Sequence, residues 1–64
     1  MKKPNVDPTE LYSIPETCAL LGIDRRTLRR YTQAGSITCH IRKCDGRIVY
    51  YGSDISLCYF TVVA

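Results

Sequence analysis

The sequence predicts a mainly α domain carrying one small antiparallel β-hairpin. Two capped helical segments lie only three residues apart, at Gly22-Ile23-Asp24. After Gly35 the apolar pattern changes from a helical period to alternation around an Asp45-Gly46 turn signal. A chain of 64 residues makes one small domain with a single layer of core side chains, near the lower size limit for folding without staples.

Residues 1–11 hold Pro4 and Pro8 and little apolar material, so they are expected to form a flexible leader. Ser13-Ile14-Pro15-Glu16 is a capping box with proline in the first helical turn. The helix it opens should run to about Leu21, burying the stripe of Ile14, Cys18 and Leu21. Gly22 stops it, and Ile23 is expected to plug the core from the turn. Asp24 then caps a second helix that Gly35 ends. A connection this short lets the two helices cross steeply, which is a helix-turn-helix arrangement with the second helix presented outward.

That second helix has two unlike faces. Counting about 100° per residue from Arg25, Arg29, Gln33, Arg26 and Arg30 fall within an arc of about 140°. Ala34, Thr27, Tyr31 and Leu28 fall between about 180° and 300° on the opposite side. One face is therefore four arginines and a glutamine, and the other is small, apolar and aromatic. Beyond it, Ile37, Cys39 and Ile41 are expected on one face of a strand, with Thr38, His40 and Arg42 on the other. Arg47-Ile48-Val49-Tyr50-Tyr51 reads as the return strand, with Arg42, Lys43 and Arg47 near the hairpin tip. Ser53 is expected to cap a last helix whose inward face is Ile55, Cys58 and Tyr59. The domain is expected over residues 12–60, with a tail over 61–64.

Net charge is +3, but its distribution says more. Residues 25–47 hold seven of the nine Lys and Arg and one acid, Asp45, for +6. The remainder holds two bases and five acids, for −3. Such polarity suits a phosphate-bearing partner. Four like charges on one helical arc repel one another, and a polyanion that completes the site explains why they are gathered. The bland alternative is a solvated surface helix.

No apolar run of membrane-spanning length exists, and no signal core follows Lys2-Lys3. A cytoplasmic, nucleoid-associated protein is therefore expected. Cys18, Cys39, Cys44 and Cys58 contain no C-x-x-C pair and fit a structural zinc site poorly, so reduced thiols are expected and no metal or cofactor. His40 reads as a strand surface residue. One histidine, no nucleophile triad, no phosphate-cradling glycine loop and no paired carboxylates argue against an enzyme.

Helix, tight turn, arginine-rich helix, basic hairpin and short helix, in that order, resemble the winged helix-turn-helix domains of excisionases and MerR-type regulators. Ser13 to Ile23 looks like that family's first helix. Arg26-Thr27-Leu28-Arg29-Arg30-Tyr31, followed by Gly35 and Ile37, resembles its recognition helix and exit. Asp45 to Tyr51, followed by Ser53-Asp54-Ile55, looks like its wing return and the start of its last helix. The likeness covers about residues 12–60. The wing tip departs from it, with Lys43-Cys44-Asp45-Gly46 where a Gly-Gly pair is common. MerR-type regulators continue into a long dimerisation helix and an effector domain. This chain stops at Ala64, so an excisionase-like role is expected over ligand sensing.

The expected function is sequence-specific binding of double-stranded DNA, in mobile-element excision beside an integrase or recombinase, or in transcription control. Arg25, Arg26, Arg29, Arg30 and Gln33 are the expected contacts from the second helix, to base edges or phosphate. The resemblance implies a phosphate anchor at Arg29. Arg42, Lys43 and Arg47 would meet phosphate or the adjacent minor groove. Ile14, Cys18, Leu21, Ile23, Leu28, Tyr31, Ile37 and Ile55 are the expected core support. No membrane or small-molecule partner is expected. The alternative is a phage or plasmid adaptor that binds a protein through Tyr50, Tyr51 and the apolar tail.

Overall fold

A computed structural model describes residues 1–63. In chain order the elements are β1 (Leu11–Ser13), α1 (Ile14–Leu21), α2 (Arg25–Ala34), β2 (His40–Ile41), β3 (Ile48–Tyr51) and α3 (Gly52–Val63). The three strands form one antiparallel sheet in the order β1-β3-β2.

The helix ends follow local chemistry. Ser13 Oγ accepts from the Glu16 N–H at 3.4 Å, and Glu16 Oε1 accepts from the Ser13 N–H at 3.2 Å. Gly22, at φ 67°, takes the left-handed conformation that ends α1. The Asp24 Oδ1 accepts from the Thr27 N–H at 2.8 Å and opens α2. Gly35, at φ 80°, closes α2, with the Ser36 N–H reaching back to the Tyr31 carbonyl at 2.9 Å.

Leu21, Leu28, Ile55 and Cys58 are fully buried at the centre of the core, joined by Cys18, Ile37 and Tyr50. Ile14, Ile23 and Tyr31 pack against this cluster while partly exposed. The inward face of α3 is Ile55 and Cys58, with Tyr59 half-buried beside them.

The sheet and the start of the last helix differ from the sequence expectation. The β-hairpin is part of a three-stranded sheet: Leu11, Tyr12 and Ser13 pair with Tyr51, Tyr50 and Val49. Three residues are too few for alternation to register, and only pairing makes them a strand. β3 is thus the central strand, which buries Tyr50, expected to be exposed. β2 is only two residues long, so the alternation read over Ile37, Cys39 and Ile41 does not hold. Ile37 reaches the core from a loop, while Ile41 is 62% exposed. Finally, α3 begins at Gly52 rather than being capped by Ser53.

The start of α3 explains what residues 1–11 do in this fold. The Gly52 N–H donates to the Glu10 carbonyl at 3.0 Å, and the Ser53 N–H donates to the Pro8 carbonyl at 3.3 Å. Two otherwise orphaned helix donors are satisfied by backbone from the opposite end of the chain. A Cβ on Gly52 would overlap the Asp7 carbonyl oxygen, so the close approach needs glycine. The Lys2 N–H donates to the Leu21 carbonyl at 2.8 Å, and Val6 packs on the core. The segment expected as a flexible leader therefore makes defined contacts. At the other end, α3 runs through Thr61–Val63, expected as tail, and Ala64 lies outside the described residues.

Candidate nucleic-acid interface

α2 presents its basic arc to solvent. Arg25, Arg26, Arg29, Arg30 and Gln33 are all exposed. Leu28, on the opposite face, is 1% exposed, and Tyr31 is half-buried beside it. The buried side fixes the rotation of the helix, so the arginines point away from the body. None of the four enters an ion pair within the described residues. Asp24 is the nearest acid in sequence and is committed to capping. Hydrogen bonds from the Thr27 side chain and backbone hold its carboxyl below the ordinary range.

The β2–β3 connection brings three more cations to the same region of sequence. The Gly46 N–H donates to the Arg42 carbonyl at 2.7 Å, and the Arg42 N–H donates to the Arg47 carbonyl at 2.8 Å. Gly46 sits at φ 69°, which favours glycine. Asp45 organises this tip. Its Oδ1 accepts from the Arg47 N–H at 3.0 Å and lies 3.4 Å from Arg42 Nε, and its Oδ2 lies 3.9 Å from Arg47 Nε. Arg42 is half-buried, whereas the Arg47 side chain is 79% exposed and Lys43 is exposed.

Between α2 and the strands runs a groove. One hollow of about 390 Å³ is lined by Arg25, Leu28, Arg29, Ile48 and Tyr50. A second, of about 340 Å³, adds Pro15, Arg42 and Arg47. The two share Ile14, Arg25 and Ile48. The structure therefore places Arg25 and Arg29 of the helix, and Arg42 and Arg47 of the hairpin, on the walls of a common trough.

A family model described as a helix-turn-helix domain matches residues 11–56. The chain belongs to the helix-turn-helix domain family. The match begins at the first residue of β1 and ends inside α3, so it spans every element that positions the basic surface. Three helices with a small antiparallel sheet are the winged form of that fold, and the β2–β3 hairpin is its wing. No curated protein and no solved structure matches the chain.

Sequence reasoning missed two contacts that hold this helix-turn-helix domain in shape. Thr32 Oγ1 and Tyr50 OH are 2.9 Å apart, tying α2 to the central strand. His40, read as a plain strand surface residue, has its Nε2 3.0 Å from Asp54 Oδ2 and meets the Tyr51 ring edge-on at 4.7 Å. That contact links the base of the wing to the first turn of α3. Neither has a sequence signal, because both depend on register. All four cysteines are free thiols, and no group of three or more His, Cys, Asp and Glu is placed to hold a metal among the described residues. No helix there is long and apolar enough to cross a membrane.

Proposed function

We propose that this helix-turn-helix domain binds double-stranded DNA at specific sites and catalyses no reaction. The observation that carries the reading is the exposed arc of four arginines on α2, unpaired within the described residues and backed by buried Leu28. An α-helix fits the major groove, where arginine can read guanine edges and glutamine can read adenine. Arg26, Arg29 and Arg30 occupy the middle of the arc, Arg25 stands near its N-terminal end, and Gln33 extends it toward the C-terminal end. Arg42, Lys43 and Arg47 on the wing would bind phosphate or enter the adjacent minor groove.

The biological role proposed is that of an excisionase-like accessory factor of a mobile element, acting at the nucleoid in the cytoplasm and bending DNA for an integrase or recombinase. A small transcription regulator uses the same surface. Neutralising roughly six phosphates gives a slope of log affinity against log salt of about −5. Fluorescence titration of labelled duplexes at several salt concentrations measures it, and a salt-independent affinity would refute the reading. Arg26→Ala with Arg29→Ala should abolish specific retardation of a target duplex while leaving the fold intact.

A second reading, a protein-binding adaptor, is favoured by Leu57 and Phe60, which stand exposed on α3. NMR perturbations by duplex DNA confined to α2 and the wing would decide against it. Silence there would favour it.

A further inference from the structure

The trough between α2 and the wing has a composition that phosphate binding alone does not explain. Its walls carry Arg25, Arg29, Arg42 and Arg47, yet Ile14 and Ile48 lie in both of its hollows. Ile48 is 41% exposed and pairs across the strands with the still more exposed Ile41. Two exposed isoleucines, paired next to Arg42 and Arg47 on a solvent-facing wing, expose apolar area to water. The same area stabilises a complex if an apolar surface covers it.

The occupant must offer C–H surface and anionic groups in close alternation. Among the described residues no acid lines the trough, and Asp45 stands outside it on the wing tip. The Arg42 Nε–H is sheltered from solvent and has no hydrogen-bond partner among the described residues, its Asp45 contact at 3.4 Å being long and poorly aimed. The trough also shares Arg25 and Arg29 with the α2 surface, so whatever lies along α2 continues into it. A deoxyribose-phosphate strand has this alternation: each sugar presents a C–H face and each link a phosphate.

We infer that one strand of the DNA backbone lies in this trough, with its deoxyribose against Ile48 and Ile14 and its phosphates on Arg25, Arg42 and Arg47. The inference rests on the DNA-binding reading above and adds to it a seat for the sugar. Ile48 is thus a positioning residue: it sets how deeply the strand settles between helix and wing, and so how α2 meets the neighbouring groove.

The salt dependence separates a sugar contact from a phosphate contact. Ile48→Thr keeps a β-branched strand former at a partly exposed site. It should weaken binding of random-sequence duplex DNA about five- to tenfold, with the slope against log salt unchanged. Arg47→Ala should lower the magnitude of that slope by about 1. Leu57→Thr, exposed on α3 outside the trough, should change neither. In the wild-type complex, a methyl-labelled Ile48 should show nuclear Overhauser contacts to deoxyribose protons, a readout that does not depend on a variant folding. Wild-type binding that Ile48→Thr leaves unaltered, with no sugar contacts to Ile48, would overturn this inference and leave the DNA-binding reading standing. Failure of the wild type to bind any duplex would overturn both. Perturbation of Ile48 by polyglutamate but not by duplex DNA would assign the trough to a protein partner and overturn it too.

Discussion

Among the described residues, the hydroxyl contact between Thr32 and Tyr50 is the one side-chain hydrogen bond between α2 and the central strand, and its strength can be measured. Thr32 Oγ1 lies 2.9 Å from the Leu28 carbonyl and donates to it. A threonine hydroxyl has one hydrogen, so at the 2.9 Å contact with Tyr50 it is the tyrosine that donates. Tyr50→Phe keeps the buried ring and removes that donor, which should cost about 1 kcal/mol. Thr32→Val leaves the Tyr50 hydroxyl unpaired at a mostly dry site and should cost about 1–3 kcal/mol. The double variant replaces both partners with apolar groups, so its cost should fall short of the sum by about 0.5–1.5 kcal/mol. Urea unfolding of the four proteins closes the cycle. Each kcal/mol should also appear as about 4–8 °C in Tm for a domain of this size. Strict additivity would refute the bond as an energetic link.

The pH profile tests the burial of the same hydroxyl. Burial, the largest cause, raises the Tyr50 hydroxyl above its ordinary value of 10.0. A pKa raised in the folded state supplies stability that is full below the unfolded value and lost as pH rises through the folded one. Wild type should therefore lose more stability on that alkaline limb than Tyr50→Phe does.

Other consequences are equally open to measurement. Gly52→Ala should destabilise the domain by about 1–2 kcal/mol in urea unfolding, through the bonds to Glu10 and Pro8, although alanine is the better helix former; a more stable variant would contradict the packing described. Hydrogen bonds from Thr9 and Thr27 lower the carboxyls of Asp7 and Asp24 below the ordinary 3.8. Their contribution is present above that value and lost as pH falls through the depressed ones, so Asp24→Asn should flatten the acid limb of a circular dichroism stability profile. In a brief native alkylation read by mass spectrometry, exposed Cys44 should react first. Cys18 and Cys58, buried and with thiols pushed up by desolvation, should react only on unfolding.

The helix-turn-helix core was legible because its signals are local. Ser13 with Glu16, Asp24, Gly22 and Gly35 each act within one turn of their own position, and the arginine arc follows from helical period alone. Asp45-Gly46 announced its turn for the same reason. What could not be read depends on distant pairing. β1 is a strand only because β3 lies beside it, and Tyr50 is buried only because β3 is then central. The cap of α3 comes from Pro8 and Glu10 carbonyls, which carry no side-chain signature. Ile41 groups with Ile37 and Cys39 on one strand face only when alternation is projected through residues 37–39, which form a loop. The exposure of the α2 arginines could be read from the helical period, but the trough that joins them to the wing, and Ile48 within it, needed the register of β2 on β3.

The pairing of Leu11 with Tyr51 also orders events during synthesis. Both helices of the helix-turn-helix unit are local, and their caps are in hand as soon as Gly35 has been made. The sheet, by contrast, must wait for its middle strand, the last of the three to leave the ribosome, and its closure brings together segments far apart along the chain. The arginine helix is thus complete in sequence before the strand that supplies Tyr50 beneath it exists. Its hydroxyl tie to the sheet forms only when β3 has joined β1.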